Sequence, residues 1–280
     1  MNQTIKSTIR ITIAATAAAL SIAASAHDTW LWSIQRTVTP GVTLNVEMTS
    51  SDIFPLVDSG IRPERVAKSQ CIQSDKKFAL NPITPVKTDK PEYKVLALTA
   101  QPPATGGVTC YSQLYPKILD LALNKVEVYL NDIDASAETR AASAASPKPK
   151  RWVESYTKNS KVIVPAQAGT QTPTAYKPTP VGLGLEFVPE IDLTTGMVPT
   201  DLPILVLRDG KPLAGLSIAL SSERGIKPSR IRSDKDGRVV FAAPAPGRWM
   251  LSATDLNVVN AKKSIWESQF STLVFEVLPK

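Results

Sequence analysis

The stretch LPILVLRDGKPLAG, residues 202–215, indicates the fold class of this chain. Its apolar half ends at Asp209-Gly210, a pair typical of the tight turn that joins two antiparallel strands. Further short apolar runs, divided by turns such as those at 234–237 and 246–247, fill residues 181–278. About six or seven short strands in roughly 95 residues predict a β-sandwich of immunoglobulin-like type.

The preceding part of the chain is also rich in strand patterns. Residues 42–48 (VTLNVEM) alternate between apolar and polar side chains, as a half-buried strand does. By contrast, residues 119–133 have apolar side chains near a helical period, and residues 138–161 resemble a second helix broken by prolines. Residues 165–180 lack periodicity and are rich in Pro, Thr, Gln and Ala, which is typical of a linker.

Together these patterns predict a mainly β protein with two β-sandwich, immunoglobulin-like domains. The first domain is expected to span residues 27–164 and to carry a small helical insertion at about residues 119–161. The second domain is expected to follow the linker and to span residues 181–280.

Residues 1–26 have the layout of a cleavable secretory signal peptide. Lys6 and Arg10 precede an apolar stretch at residues 11–24, and Ala24-Ser25-Ala26 forms an A-x-A cleavage site. We therefore expect cleavage after Ala26, export to the periplasm, and a soluble mature protein that begins at His27.

The charge distribution does not favour nucleic-acid binding. The chain has 32 Lys and Arg against 25 Asp and Glu, a formal net charge of +7. The densest basic run is the short segment KPKR at residues 148–151, which is typical of a solvated linker face. Export argues further against a nucleic-acid partner.

Cys71 and Cys110 are the only two cysteines. In an oxidising compartment we expect them to form a disulfide, which closes a loop of roughly 40 residues and contributes about 3–4 kcal/mol. A metal–thiolate site is the weaker alternative, because the sequence has no C-x-x-C spacing and no second histidine.

His27 is the only histidine of the chain. If cleavage occurs after Ala26, the α-amine and the imidazole Nδ1 of His27 lie on one residue and can close a chelate ring on a transition metal. Such nitrogen ligands suit Ni²⁺, Co²⁺, Cu²⁺ and Zn²⁺ without strong selectivity. The alternative is that His27 merely follows the cleavage site and starts the first strand.

Trp30 and Trp32 are two residues apart, so in a strand both side chains point to the same face. We expect them to fill a core or a contact between domains. The alternative is an aromatic platform for a sugar or a peptide.

The sequence lacks the usual catalytic patterns. It has no G-x-S-x-G motif, no phosphate-binding glycine loop and no dinucleotide-binding glycine pattern. Asp234 and Asp236 before Gly237 resemble part of a calcium loop, but no Glu occupies the twelfth position of that loop. We therefore expect a tight turn there, and a protein that is not an enzyme.

The order of several motifs resembles the DUF4198 family of exported proteins. The motifs are HDTWL at residues 27–31, GLEFVP at 184–189, LRDGKPLAG at 207–215 and SDKDGR at 233–238. The resemblance spans nearly the whole chain after residue 26. It implies a periplasmic protein with an immunoglobulin-like C-terminal domain and a link to cobalt or nickel uptake.

The resemblance carries over to His27, Asp28, Trp30 and Glu186, which match its motifs. We therefore expect His27, with Asp28 or Glu186 supplying an oxygen, to bind a divalent metal, and the protein to capture Ni²⁺ or Co²⁺ or hand it to a membrane metal transporter. The alternative is a structural or adhesive module of the cell envelope in which His27 is inert.

Overall fold

The computed structural model describes residues 27–83, 94–147, 151–167, 179–225 and 227–279. The predicted signal peptide, most of the predicted linker and the lysines of the basic run lie outside the described residues. The chain is 53% strand, so the prediction of a mainly β protein is confirmed. Neither helix in the described part has the length and hydropathy that a membrane-spanning helix needs.

The described residues form seventeen strands and two α-helices. In chain order these are β1 (Asp28–Ser33), β2 (Leu44–Ser51), β3 (Ser59–Gly60), β4 (Val66–Gln73), β5 (Lys76–Pro82), β6 (Leu96–Ala100), β7 (Val108–Leu114), β8 (Lys117–Ala122), α1 (Leu123–Asp132), α2 (Ala137–Ala145), β9 (Arg151–Val164), β10 (Leu185–Pro189), β11 (Asp201–Arg208), β12 (Lys211–Pro212), β13 (Ser217–Ser222), β14 (Ser229–Arg232), β15 (Arg238–Ala242), β16 (Gly247–Asn260) and β17 (Ile265–Val277).

These strands form two sheets. The larger sheet has thirteen strands in the order β1-β2-β6-β5-β4-β7-β9-β17-β16-β13-β14, with β3 beside β2 and β8 beside β9. The smaller sheet has four strands, in which β11 pairs with β10, β12 and β15. Strands β9 and β17 run parallel to each other, in register from Val153 opposite Ile265 to Ile163 opposite Phe275.

Strands β9, β16 and β17 lie between two hydrophobic cores. Side chains alternate across a strand, so each of these strands supplies both cores. In β17, Val274 packs in the core that contains β1 and β2, whereas Leu273 and Phe275 pack under the smaller sheet. In β16, Met250 and Leu251 divide between the two cores in the same way. The sandwich-like layers therefore share a central sheet.

The helical region is shorter than predicted. Residues 117–122 form β8, and α1 begins only at Leu123. Leu119 and Leu121, two residues apart, both pack in the core beneath the helices, a spacing that suits a strand. The prediction of helix over residues 151–161 is also wrong, because these residues form β9, which pairs with β7, β8 and β17. Those pairing partners are distant in sequence, so local periodicity did not show them.

Two local predictions are confirmed. Asp209 and Gly210 form the hairpin turn between β11 and β12, with φ of 50° and 77°, the left-handed conformation that this turn requires. Cys71 of β4 lies opposite Cys110 of β7, and the two buried residues form a disulfide.

The segment at 234–237 is a tight turn between β14 and β15, as expected. One carboxylate oxygen of Asp234 accepts hydrogen bonds from the backbone N–H groups of Asp236 and Arg238, at 2.9 and 2.8 Å. Asp234, the first carboxylate of the calcium-like motif, thus stabilises the turn through hydrogen bonds to its backbone.

Candidate functional site

The beginning of β1 is anchored against the central sheet. The carbonyl oxygen of Thr29 accepts hydrogen bonds from Ser160 Oγ of β9 at 2.8 Å and from Thr272 Oγ1 of β17 at 2.7 Å. The next two side chains, Trp30 and Leu31, are fully buried. Residue 27 therefore directly precedes a firmly held strand.

The register of β1 against β2 brings an aspartate to His27. Asp28 pairs with Ser51, so residue 27 lies opposite residue 52. His27 Nε2 is 3.6 Å from Asp52 Oδ2 and 3.9 Å from Asp58 Oδ2. The three side chains are accessible to solvent, with exposed fractions of 27%, 51% and 65%. An accessible imidazole thus faces two accessible carboxylates.

A lysine lies behind the His27 backbone. Lys158 Nζ, from β9, donates a hydrogen bond to the His27 carbonyl oxygen at 2.7 Å and another to Thr29 Oγ1 at 2.9 Å. The same Nζ lies 5.6 Å from the ring centre of Phe270. Burial lowers the pKa of Lys158 to about 8, and the negative charge of Asp28 acts in the opposite direction.

Asp28 lines a pocket of about 540 Å³. The pocket is lined by Asp28, Asp52, Asn131, Asp132, Ile133, Arg230, Ser252, Ala253 and Thr254. Burial raises the pKa of Asp28, while a hydrogen bond with Ser252 and the charge of Lys158 act to lower it. Burial also raises the pKa of Asp132. Arg230 donates to the carbonyl oxygen of Asp132 at 3.1 Å and is the pocket's positive charge.

The atoms around His27 are of the types that bind divalent metals, but they are too few for a complete site. Imidazole nitrogen and carboxylate oxygen both bind first-row transition metals. Among the described residues, however, no group of three or more His, Cys, Asp or Glu side chains is placed to hold a metal ion. Tight binding at His27 therefore needs a further ligand, such as a terminal amine, water or a group from a partner.

Glu186 lies in a different environment, on β10 in the smaller sheet. Its side chain is 1% exposed and its Oε1 is 2.5 Å from Nζ of Lys161, which is 4% exposed. Its two oxygens also accept the backbone N–H groups of residues 181–183 at 2.7 to 3.2 Å. The structure does not bring Glu186 to His27 or Asp28, because the carboxylate is used to hold Lys161 and the segment before β10.

Trp30 and Trp32 both pack against the core that contains β1. Trp30 is fully buried and meets Phe54 edge to face, with ring centres 5.6 Å apart. Trp32 Nε1 donates to Glu47 at 2.9 Å, and the guanidinium of Arg248 lies 5.0 Å from the centre of its ring. These contacts occupy the rings, so the structure favours packing over an open aromatic platform.

Asp52, Asp58 and Lys158 were not predicted from the sequence. Asp52 directly follows β2, so its place opposite residue 27 could be predicted once the register of β2 against β1 is known. Lys158 gave no such signal, since its segment was expected to be helical and its contact with His27 joins residues 131 positions apart.

The sequence profile of a family described as "Domain of unknown function (DUF4198)" matches residues 24–255. The chain belongs to this family. The match covers well over half of the chain, includes His27, Asp52, Asp58 and Lys158, and ends within β16. No curated protein matches the chain. The family description assigns no function, so a functional assignment has to come from the geometry around His27.

Proposed function

We propose that the mature protein begins at His27, resides in the periplasm, and binds a divalent transition metal, Ni²⁺ or Co²⁺, for delivery to an uptake system. The observation that carries this proposal is the His27 imidazole, whose Nε2 faces the carboxylates of Asp52 and Asp58 at 3.6 and 3.9 Å. The metal is the cargo of a binding protein, and no catalytic step is required of the chain.

The orientation of the ring supports a chelate through the other nitrogen. In this proposal the metal is bound by Nδ1 and by the α-amine that cleavage after Ala26 creates, while Nε2 faces the carboxylates. Metal-binding histidines usually donate their second ring N–H to a carboxylate, which orients the ring and raises its basicity. We assign this orienting role, rather than that of ligands, to Asp52 and Asp58, whose Oδ2 atoms lie 3.6 and 3.9 Å from Nε2.

Delivery requires a partner that reaches this surface. Ile53 and Leu56, in the loop between the two aspartates, are apolar residues that are 60% and 57% exposed. Apolar side chains beside a metal site suit a contact with a membrane transporter, which we propose as the partner.

Calorimetric titration with Ni²⁺, Co²⁺, Cu²⁺ and Zn²⁺ tests the proposal. The protein that begins at His27 is compared with a His27→Ala variant and with a matched form that retains Ala26 as its first residue. We expect the authentic form to bind most tightly and His27→Ala to lose binding. The form that begins at Ala26 should be weaker, because its amine and imidazole lie on different residues. Equal affinities in all three forms would refute the proposal.

One observation favours a second candidate function, a structural or adhesive module of the envelope. Within the described residues the side chains alone supply no complete metal-binding group, and the chain is rich in strands. The metal content of the natively exported protein separates the two functions: an empty protein at micromolar free metal supports the structural module.

We also propose the finer division of the fold into two immunoglobulin-like domains, residues 27–164 and 181–280. Its support is the pair of cores on opposite faces of the central strands. The shared sheet means that these domains are fused side by side, instead of being joined only through the segment at 165–180.

A further inference from the structure

Separate parts of the chain enclose the pocket beside the start of β1. Asp28 begins β1, Asp132 ends α1, and Ser252 and Thr254 belong to β16 in the central sheet. The volume of about 540 Å³ lies within the range of roughly 300–1,000 Å³ that is typical of small-ligand sites. The cavity is therefore large enough to hold an organic molecule.

One buried hydroxyl group of this pocket is left without a partner. Thr254 is 9% exposed, and among the described residues its Oγ1 makes no hydrogen bond. Side chains alternate along β16, so Ser252 and Thr254 point away from the core under the smaller sheet, where Ala253 packs. A hydroxyl that loses water and gains no protein partner is costly to bury. Thr254 Oγ1 is therefore placed to bond a ligand in the pocket.

The charges around the pocket are mainly negative. Three of the described lining residues are aspartates, Asp28, Asp52 and Asp132, and one is an arginine, Arg230. Burial raises the pKa of Asp28 and of Asp132, and the charge of Asp52 raises both further. Lys158 lies behind the pocket and its charge acts on Asp28 in the opposite direction. Three carboxylates against these two cations leave one negative charge in excess, which favours a cationic ligand.

The carboxylates do not converge on a single point. Among the described residues no group of three or more acidic, histidine or cysteine side chains is placed to hold one metal ion. Acidic groups that surround a cavity in this way suit a larger cation, in which a carbon frame separates the charged group from further hydrogen-bonding groups. The polar lining, with the hydroxyls of Ser252 and Thr254, suits hydroxyl groups on that frame.

We propose that this pocket binds a small organic ammonium ion that also carries hydroxyl groups, which is the chemistry of an amino sugar. The ammonium lies among the carboxylates and donates hydrogen bonds to them, and one ligand hydroxyl bonds to Thr254 Oγ1. Arg230, which donates to the Asp132 carbonyl oxygen at 3.1 Å, lies beside the carboxylates and donates to a ligand oxygen. This site goes beyond the proposed function, because it takes an organic ligand and needs no metal.

Calorimetric titration of the mature chain with glucosamine and with glucose, in the presence of a metal chelator, tests the proposal. The two molecules share one frame and differ in a single group, an ammonium in place of a hydroxyl. Hydrogen bonds between charged groups are about twice as strong as neutral ones, so glucosamine should bind about 10-fold more tightly than glucose. Equal affinities for the two sugars overturn the inference, and so does a lack of detectable glucosamine binding.

Two variants test whether binding occurs in this pocket. Thr254→Val keeps the size of the side chain but removes the hydroxyl, so glucosamine affinity should fall about 2–10-fold, and Thr254→Ser should retain it. Asp132→Asn removes an exposed charge and should weaken glucosamine binding about 10-fold, even if Thr254→Val does not fold. The matched control is Asp201→Asn, an exposed aspartate of β11 outside the pocket. An equal loss in Asp201→Asn, or unchanged affinity in Asp132→Asn, refutes the assignment of the pocket.

His27→Ala separates this site from the metal site of the proposed function. His27 is not one of the lining residues, so the variant should bind glucosamine as the wild type does. A loss of glucosamine binding in His27→Ala contradicts the inference. The proposed function fails on a different measurement, the metal titration of the same variant.

Discussion

Replacing Lys161 by methionine is expected to destabilise the fold by about 3–5 kcal/mol. Lys161 and Glu186 are 4% and 1% exposed, and their charged atoms are 2.5 Å apart. Burial lowers the pKa of Lys161, while Glu186 acts to raise it, so each charge depends on the other for its place in the interior. Removing the lysine leaves a carboxylate buried without its counter-charge.

The contacts of Glu186 place the expected value nearer the lower end of this range. After the substitution, three backbone N–H groups at 2.7 to 3.2 Å still donate to the carboxylate and partly stabilise its charge. Adding Glu186→Gln removes the charge, while the amide oxygen can still accept from part of this set. The double variant should therefore regain about 1–2 kcal/mol relative to Lys161→Met.

Urea unfolding at pH 7, followed by tryptophan fluorescence with the disulfide intact, measures these differences. Lys125→Met is a suitable control, because Lys125 is exposed on α1 and should change stability by less than about 0.5 kcal/mol. A loss below about 1 kcal/mol in Lys161→Met, or a double variant less stable than the single one, would refute the reasoning about buried charge.

Three further measurements test other parts of the structure. Asp52→Asn should weaken metal binding about 10-fold or more in calorimetry, and unchanged affinity would remove Asp52 from the site. Burial acts to raise the pKa of Glu223, but the hydrogen bond from Arg36 helps to hold it below 4.5. The ion pair of Glu223 with Arg36 therefore stabilises the fold above pH 4.5. Glu223→Gln should lower the free energy of unfolding by about 0.5–1 kcal/mol at pH 7, and this difference should vanish as acid protonates the wild-type carboxyl. A difference that persists in acid contradicts the reasoning. Replacing Cys71 and Cys110 together by serine should cost about 3–4 kcal/mol in urea unfolding, and an unchanged midpoint would show that the disulfide contributes little.

Local chemistry made some parts of the fold predictable from the sequence. Asp209-Gly210 specifies a hairpin turn through the backbone angles that these two residues tolerate, and the structure has that turn. The segment at 119–121 (Leu-Asp-Leu) is too short for its pattern to distinguish a strand from a helix, and β8 forms there because β9 offers it a pairing edge. Strand β9 itself depends on a parallel partner more than 100 residues away, which no local pattern reports.

Some residues of the candidate site could also be predicted from the sequence, whereas others depend on contacts between distant segments. His27 could be selected as a candidate from the sequence, because the predicted cleavage site directly precedes it. Glu186 was a plausible ligand by type, but its buried pairing with Lys161 depends on the contact between β9 and β10. Asp52 depends on strand register, and Lys158 on the packing of β1 against the central sheet, so both required the three-dimensional structure.

The place of β17 between β9 and β16 has a consequence for how the chain matures. Neither hydrophobic core can close before residues 265–277 arrive, because Val274 belongs to one core and Leu273 to the other. A nascent chain that lacks this strand exposes both apolar faces to chaperones and proteases. Most of the pairing is between distant segments, so folding should be slow. Because β9, β16 and β17 supply both cores, the two halves should melt together.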